Sequence, residues 1–338
     1  MIVKKRFMLY NSTKSVKSKM IVEEIKKELL LIEEALKNFL SSQVPFINQV
    51  SEYILFAGGK RIRPLLTVIC AKLFSPSVSE VLYRSSILFE YLHAATLLHD
   101  DVVDSAEFRR GRKAARNLWG NQATILVGDY LYAKALKLAS ELRNPEIMEI
   151  ITETTLIMSE GEVLQLLNLY QTNLSEEFYE EIIFRKTAAL ISACCEVGAI
   201  LGGASNKERE KLKIFGKYLG LSFQIIDDLL DYLSTETGKD LGRDFKEGKI
   251  TLPVIYALKQ ASEADQKRLL ELLNLPEPKE EFFEEAKNLI EKNQGFKLAQ
   301  EKALSYINKA KDTLNGLPEN IYKQMLLFIT DYLTNRKK

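Results

Sequence analysis

From Ile21 onward the apolar residues of this chain recur at helical spacing, and Ile25, Leu29, Ile32, Leu36 and Phe39 form the first such stripe. No comparable alternation with the two-residue period of a half-buried strand is visible. A chain patterned this way buries its apolar faces by packing helix on helix, so the expected fold is all-α. Residues 85–103, 123–140, 175–201, 208–232 and 252–260 read as long helices, many apolar nearly all round, which places them at the centre of a bundle. Gly58-Gly59, Pro76, Gly111, Gly202-Gly203, the glycine-bearing stretch 238–248, Pro276 and Pro278 fall between them as short connections. Residues 21–338 are therefore expected to form one domain, with the acidic, proline-bearing stretch 275–285 as a solvated loop leading into C-terminal helices.

Composition narrows the partners. The chain has 338 residues, of which 46% are hydrophobic, enough to bury a large core. With 47 Lys plus Arg against 46 Asp plus Glu, the formal charge of +1 provides no global field for nucleic acid, so any anionic ligand must be held locally. Cys70, Cys194 and Cys195 lie in apolar runs, and an adjacent pair makes a poor disulfide, which fits a reducing, cytoplasmic setting. Charged residues interrupt every apolar run before it reaches the roughly 18 to 20 residues that span a bilayer, so a soluble or peripheral protein is expected. Residues 1–20 carry Lys4, Lys5, Arg6, Lys14, Lys17 and Lys19 with no acid, and read as a flexible basic tail.

Two Asp-Asp-x-x-Asp clusters, Asp100 to Asp104 and Asp227 to Asp231, sit inside helical segments. Residues four apart share a helix face, so Asp100 stacks on Asp104 with Asp101 beside them, and Asp227, Asp228 and Asp231 repeat the arrangement. Like charges at that spacing destabilise a helix, and the neighbours Leu97, Leu98, Val102, Val103, Ile225, Ile226, Leu229 and Leu230 argue for burial. A cation should neutralise them. Carboxylate oxygens without nearby sulfur suit magnesium, which commonly bridges one or two carboxylates to substrate phosphates, so a diphosphate is the expected co-ligand. A single cluster of this kind is often a solvated acidic face; two matching ones suggest a pair of helices facing one another.

Cationic partners for a diphosphate are at hand. Gly59-Lys60-Arg61-Ile62-Arg63-Pro64 follows a flexible glycine pair, although a helix ending before a basic surface turn has the same sequence. Arg109-Arg110-Gly111 comes just over one helical turn after the first cluster. His93 lies two turns before Asp100 on nearly the same stripe, and on spacing alone a structural histidine reads as well. Lys186-Thr187 interrupts an apolar helix, where an unpaired lysine would be costly and a phosphate would explain it. Gln224 shares a face with Asp227, while Lys239 and Lys249 flank the glycine-bearing loop beyond the second cluster.

In this order Gly58-Gly59-Lys60-Arg61-Ile62-Arg63-Pro64, Asp100-Asp101-Val102-Val103-Asp104, Arg109-Arg110-Gly111, Gly128-Asp129-Tyr130-Leu131, Lys186-Thr187, Gln224-Ile225-Ile226-Asp227-Asp228-Leu229-Leu230-Asp231 and Gly248-Lys249-Ile250-Thr251-Leu252-Pro253 resemble the trans-isoprenyl diphosphate synthases of the polyprenyl synthetase family. The resemblance covers nearly the whole chain from about residue 21. It implies the isoprenoid synthase fold, a single-domain bundle around a central cavity. It also implies a homodimer and a magnesium-dependent condensation of isopentenyl diphosphate with an allylic diphosphate. Lys60, Arg63, His93 and Arg110 would hold isopentenyl diphosphate; Arg109, Lys186, Thr187, Gln224, Lys239 and Lys249 would hold the allylic diphosphate. Asp100, Asp104, Asp227 and Asp231 would coordinate magnesium, with Asp101 and Asp228 in support.

In that family, bulk in the helix before the first cluster sets product length. Ala95 and Thr96 stand where a short-chain synthase carries an aromatic floor, and Leu92 and Phe89 lie deeper, Phe89 roughly 9 Å below Ala95 at 1.5 Å per residue. Tyr132 and Leu136 on the following helix are further candidates for the floor. A long product of octaprenyl type, the precursor of a quinone side chain, is expected, with peripheral membrane contact for its release. The competing readings are a farnesyl or geranylgeranyl diphosphate synthase, a terpene cyclase, and a non-catalytic subunit of a heteromeric synthase. The residues expected of the isopentenyl site argue against the cyclase.

Overall fold

Local signals at the helix ends account for where the chain turns. Asn144 accepts from Glu146 N at 3.0 Å and Ile147 N at 3.2 Å at the start of one helix, with Pro145 in its first position. Ser205 and Glu208 form a reciprocal cap at the start of another, Ser205 N donating to Glu208 Oε2 at 2.9 Å and Glu208 N to Ser205 Oγ at 3.4 Å. The computed structural model describes residues 16–77, 80–233, 241–275 and 279–334. In chain order the elements are α1 (Val16–Phe39), α2 (Pro45–Leu55), α3 (Ile62–Lys72), α4 (Glu80–Val103), β1 (Phe108–Arg109), β2 (Arg112–Lys113), α5 (Ala115–Glu141), α6 (Pro145–Leu167) and α7 (Glu176–Ile183). A π-helical turn (Phe184–Ala188) precedes α8 (Ala189–Leu201), α9 (Asn206–Leu233), α10 (Arg243–Lys246), α11 (Leu252–Gln260), α12 (Glu263–Leu273), α13 (Glu280–Lys292), α14 (Gly295–Thr313) and α15 (Ile321–Thr334). The fold is all-α apart from the two-residue strands, and no helix among the described residues is long and apolar enough to cross a membrane.

The helices depart from the expected pattern at four places. The run expected as one helix over 175–201 contains the π-turn, which inserts one extra residue where Arg185, Lys186 and Thr187 interrupt the apolar pattern. Gly120, at φ 83°, bends α5 near its start. The stretch 275–285 was expected to be loop, but α13 already begins at Glu280, where Glu280 and Glu281 favour the positive end of the helix dipole. At the other end, α1 takes in Val16 to Met20, residues expected in the basic tail.

Contacts divide the chain into two compact units. The first comprises Met1–Glu153, Ala193–Lys213 and Gly316–Phe328. Here α4 packs along α5 and against α1 and α3, around the fully buried Leu65, Leu66, Ile69, Phe89 and Tyr91. All three cysteines are free and buried in this unit. The second unit comprises Thr154–Ser192, Ile214–Asn315 and Ile329–Lys338. Its core joins α11 to α14 and α13, with Tyr232 stacked on Phe283 at 5.7 Å and Phe245 tilted against the same ring at 5.8 Å. Those aromatics fix Tyr232 and Phe245, the neighbours of Asp231 and Asp244.

Candidate active site

In the first unit the acidic cluster occupies the last turn of α4. Ser105 is left-handed at φ 50°, its N–H donating to Val102 O at 3.3 Å while Ala106 N donates to Asp101 O at 3.0 Å, the pattern that closes a helix C-terminus. The carboxylates therefore stand at the negative end of the helix dipole, where only a cation relieves them. Asp101 is fully buried and receives Arg109, Nε at 2.7 Å and Nη2 at 2.6 Å on the same oxygen. Asp100 and Asp104 are half-buried and keep an edge toward solvent.

Arg109 and Arg110 belong to a β-hairpin and not to a helix extension. Phe108 pairs with Lys113 and Arg109 with Arg112, and Arg110 and Gly111 form the two-residue turn with φ 53° and 75°. Two positive φ values suit the right-handed twist of a hairpin, at some cost for an arginine. Tyr53 Oη donates to Lys113 O at 2.7 Å, and Asn117 Nδ2 donates to Ala106 O at 3.1 Å and Glu107 O at 3.0 Å, which pins the hairpin to α2 and α5. Arg110 Nη1 donates to Gly58 O.

The charges of these arginines reach His93. Burial holds His93 well below the ordinary histidine range, and Arg63, Arg110, Arg109 and Arg61 push it further down, so the ring is neutral. Burial also lowers Arg63, opposed by Glu90, and Arg63 Nε has no hydrogen-bond partner among the described residues. Lys60 is half-buried beside them in the chain. On the same α4, Ala95, Leu92 and Phe89 are buried; Thr96 is half-buried and its Oγ1 donates to His93 O at 2.9 Å; Tyr132 and Leu136 on α5 are half-buried.

In the second unit the other cluster lies in the last two turns of α9. Asp228 is buried, accepting from Tyr179 Oη at 2.6 Å and from Gln224 Nε2 at 2.8 Å, while Thr187 Oγ1 donates to Gln224 Oε1 at 2.7 Å. Burial raises Asp228 to about 7; Asp227 and Asp231 add to that against the two hydrogen bonds. Asp231 accepts Arg243 N at 3.2 Å and Asp244 N at 3.0 Å, capping α10, whereas Asp227 is exposed. Burial and the charges of Asp228 and Asp231 hold Asp244 well above the usual carboxylate range. Lys249 Nζ pairs with Glu247 Oε2 at 2.5 Å.

Lys186 differs from the expectation of an unpaired buried lysine. It sits in the π-turn with Nζ 2.8 Å from Glu162 Oε2, partly open to solvent. Gly220 on α9 makes room for that turn, since a Cβ there would fall 2.5 Å from Ala188 Cα. Lys239 lies outside the described residues. Sequence reasoning missed three residues. Arg61 was visible within the basic run, but nothing in the run says which cation turns inward. Asp244 stood in the glycine-bearing loop and went unassigned. Tyr179, two helical turns before Lys186, carried no signal of its own.

No three His, Cys, Asp or Glu side chains converge as a ready-made metal cage among the described residues. Pairs of oxygen donors at a helix end still fit magnesium, which keeps its waters and binds through one or two carboxylates together with substrate phosphates. Each of the two helical units thus carries an Asp-rich helix end with basic or amide groups nearby, the side chains that a class of metal-assisted, anion-binding enzymes requires.

The particular family follows from comparison. Residues 44–290 match the polyprenyl synthetase family model. The octaprenyl diphosphate synthase of Haemophilus influenzae is 36% identical over 314 residues, covering 91% of this chain and 95% of that protein. Component 2 of the Bacillus subtilis heptaprenyl diphosphate synthase is 34% identical, with 95% and 92% covered. The crystal structure of a decaprenyl diphosphate synthase from Rhodobacter capsulatus superposes with a TM-score of 0.89 at 36% identity, covering 95% of this chain and 99% of that one. Further relatives carry names from short-chain to nonaprenyl synthases. The chain belongs to the polyprenyl synthetase family, the trans-isoprenyl diphosphate synthases, and is an enzyme of the prenyltransferase class.

Proposed function

We propose that this enzyme condenses isopentenyl diphosphate with an allylic diphosphate, in the presence of magnesium, and repeats the step to an all-trans product of octaprenyl type. The observation that carries the reading is the hairpin that sets Arg109 on Asp101 and Arg110 on Gly58 O, with the positive charges of Arg63, Arg109 and Arg110 acting on a neutral His93 of the helix that ends in Asp100 and Asp104. Such a set binds a polyanion. Lys60, Arg63, His93 and Arg110 hold the isopentenyl diphosphate; Arg109, Lys186, Thr187, Gln224, Lys239 and Lys249 hold the allylic one. Lys186 and Lys249 are paired with Glu162 and Glu247, so each exchanges a carboxylate for a phosphate oxygen as the diphosphate arrives.

Magnesium held by Asp100, Asp104, Asp227 and Asp231 would neutralise the departing diphosphate. The chain's own cations stabilise the same charge as the allylic carbon–oxygen bond breaks. The double bond of isopentenyl diphosphate then supplies the electron pair for the new carbon–carbon bond, and a proton leaves to restore a double bond. The released diphosphate is the acceptor for that proton, so no protein nucleophile is needed. His93, neutral and half-buried, orients substrate by hydrogen bonding and adds no positive charge to it.

The small Ala95 and Thr96 before the cluster support a long product, with Phe89, Tyr132 or Leu136 as the floor. Leu118, Ile125 and Leu126 stand exposed on α5, which supports pairing with a second copy. Replacing Asp100 or Asp227 by Ala is the test: labelled isopentenyl diphosphate should no longer enter product, and near-normal condensation would overturn the reading.

A further inference from the structure

Cations gathered to bind an anion repel one another while the anion is absent. His93 is under the positive charges of Arg61, Arg63, Arg109 and Arg110. Asp101 answers Arg109. The other three depend on Glu90, a buried carboxylate one helical turn before His93 on α4. Arg61 Nη1 donates to Glu90 Oε1 at 2.6 Å, its Nε to Glu33 Oε1 at 2.7 Å and its Nη2 to Leu55 O at 2.6 Å, so every part of that guanidinium is occupied inside the protein. Arg61 is a strut, left-handed at φ 51°, and its neighbour Arg63 is the group left open. Glu90 is also the leading influence that opposes the burial of both Arg63 and Arg110.

The glycine pair shows how close the packing is. Arg110 donates to Gly58 O, and a Cβ on Gly59 would lie 3.1 Å from Arg110 Nη1 and 3.3 Å from Arg61 Nη1. Two guanidinium groups therefore flank one α-carbon, at φ 154°, with Glu90 behind them.

We propose that Glu90 is a positioning residue for the isopentenyl-diphosphate half-site: its carboxylate locks Arg61 in place and keeps Arg63 and Arg110 gathered beside His93 before substrate binds. The proposal rests on the reading given under Proposed function. A bare field argument has the opposite sign, because removing a negative charge near an anion site strengthens the attraction. Preorganisation prevails here because guanidinium groups stripped of their counter-charge turn out to water, a course open to the half-buried Arg63 and to Arg110 on its exposed hairpin turn.

The two signs are separable in the full-length protein with magnesium, isopentenyl diphosphate and farnesyl diphosphate. Glu90→Gln should raise KM for isopentenyl diphosphate roughly 10- to 100-fold while KM for farnesyl diphosphate stays within about twofold. Glu90→Asp, which keeps the charge, should recover most of the loss. Unchanged or tighter isopentenyl diphosphate binding in Glu90→Gln overturns the proposal, as does an equal loss for both substrates. If Glu90→Gln does not fold, the paired Arg61→Met/Glu90→Met protein, which removes both partners of the buried ion pair, should show the same selective loss, and a wild-type KM there is equally fatal. Calorimetric titration with inorganic diphosphate reads the same comparison without turnover. Wild type that binds diphosphate but never condenses would sink the prenyltransfer reading while leaving the Glu90 comparison measurable.

Discussion

Replacing Tyr179 by Phe removes one hydroxyl from the second acidic cluster and nothing else of comparable size. That hydroxyl donates to Asp228 Oδ2 at 2.6 Å, inside the protein and against a carboxyl already raised to about 7. A hydrogen bond to a charged group is worth about 1.5–3 kcal/mol, which corresponds to a further rise of roughly 1 to 2 pH units in Asp228. The sign follows from proton counting. A carboxyl raised above its unfolded value holds more protons folded than unfolded, so wild type loses stability as pH rises from about 4 to 7 and is level in this respect beyond. Tyr179→Phe should keep losing stability above pH 7, by about 1.4 kcal/mol per pH unit, until the carboxyl ionises. Urea unfolding of both proteins at pH 6 and pH 9, without metal, reads this directly. The penalty should be small at pH 6 and approach its full size at pH 9; one that is equal at both pH values would refute the argument.

Other outcomes follow from the same geometry. Because His93 titrates well below the ordinary histidine range, wild type should lose stability as pH falls below about 6.5, and His93→Asn should flatten that limb by up to about 1.4 kcal/mol per unit, read from paired acid unfolding curves. Magnesium with inorganic diphosphate should raise the melting temperature, by the equivalent of about 2.7 kcal/mol at a hundredfold excess over Kd, and Asp100→Asn/Asp104→Asn should abolish the shift in differential scanning fluorimetry. Ala95→Phe should shorten the product, scored by mass spectrometry; an unchanged product would remove α4 from control of length.

The all-α class was legible because a 3.6-residue apolar period leaves no second solution, and the ends of α4, α9 and α11 fell within a few residues of the pattern. The placement of the aspartates near the ends of α4 and α9 was legible because the apolar period carries each helix through its cluster. What could not be read depends on contacts between distant segments. The π-turn at Phe184–Ala188 has no composition that sets it apart from an α-helical turn, and the ion pair from Lys186 to Glu162 joins residues with no local relation. The hairpin that presents Arg109 and Arg110 is only two residues per strand, too short for any alternation to show. Arg61 and Arg63 differ by two positions and have opposite fates, one sealed into ion pairs and one with its Nε open, because the backbone turns left-handed at Arg61.

The central claim is that the two acidic helix ends serve repeated prenyl transfer to a long chain. Mass analysis of the product made by the purified full-length protein from isopentenyl and farnesyl diphosphates with magnesium tests it most directly. The account predicts a product of octaprenyl diphosphate length that disappears in Asp100→Ala; absence of any prenyl product, or growth that stops at geranylgeranyl diphosphate, would contradict it.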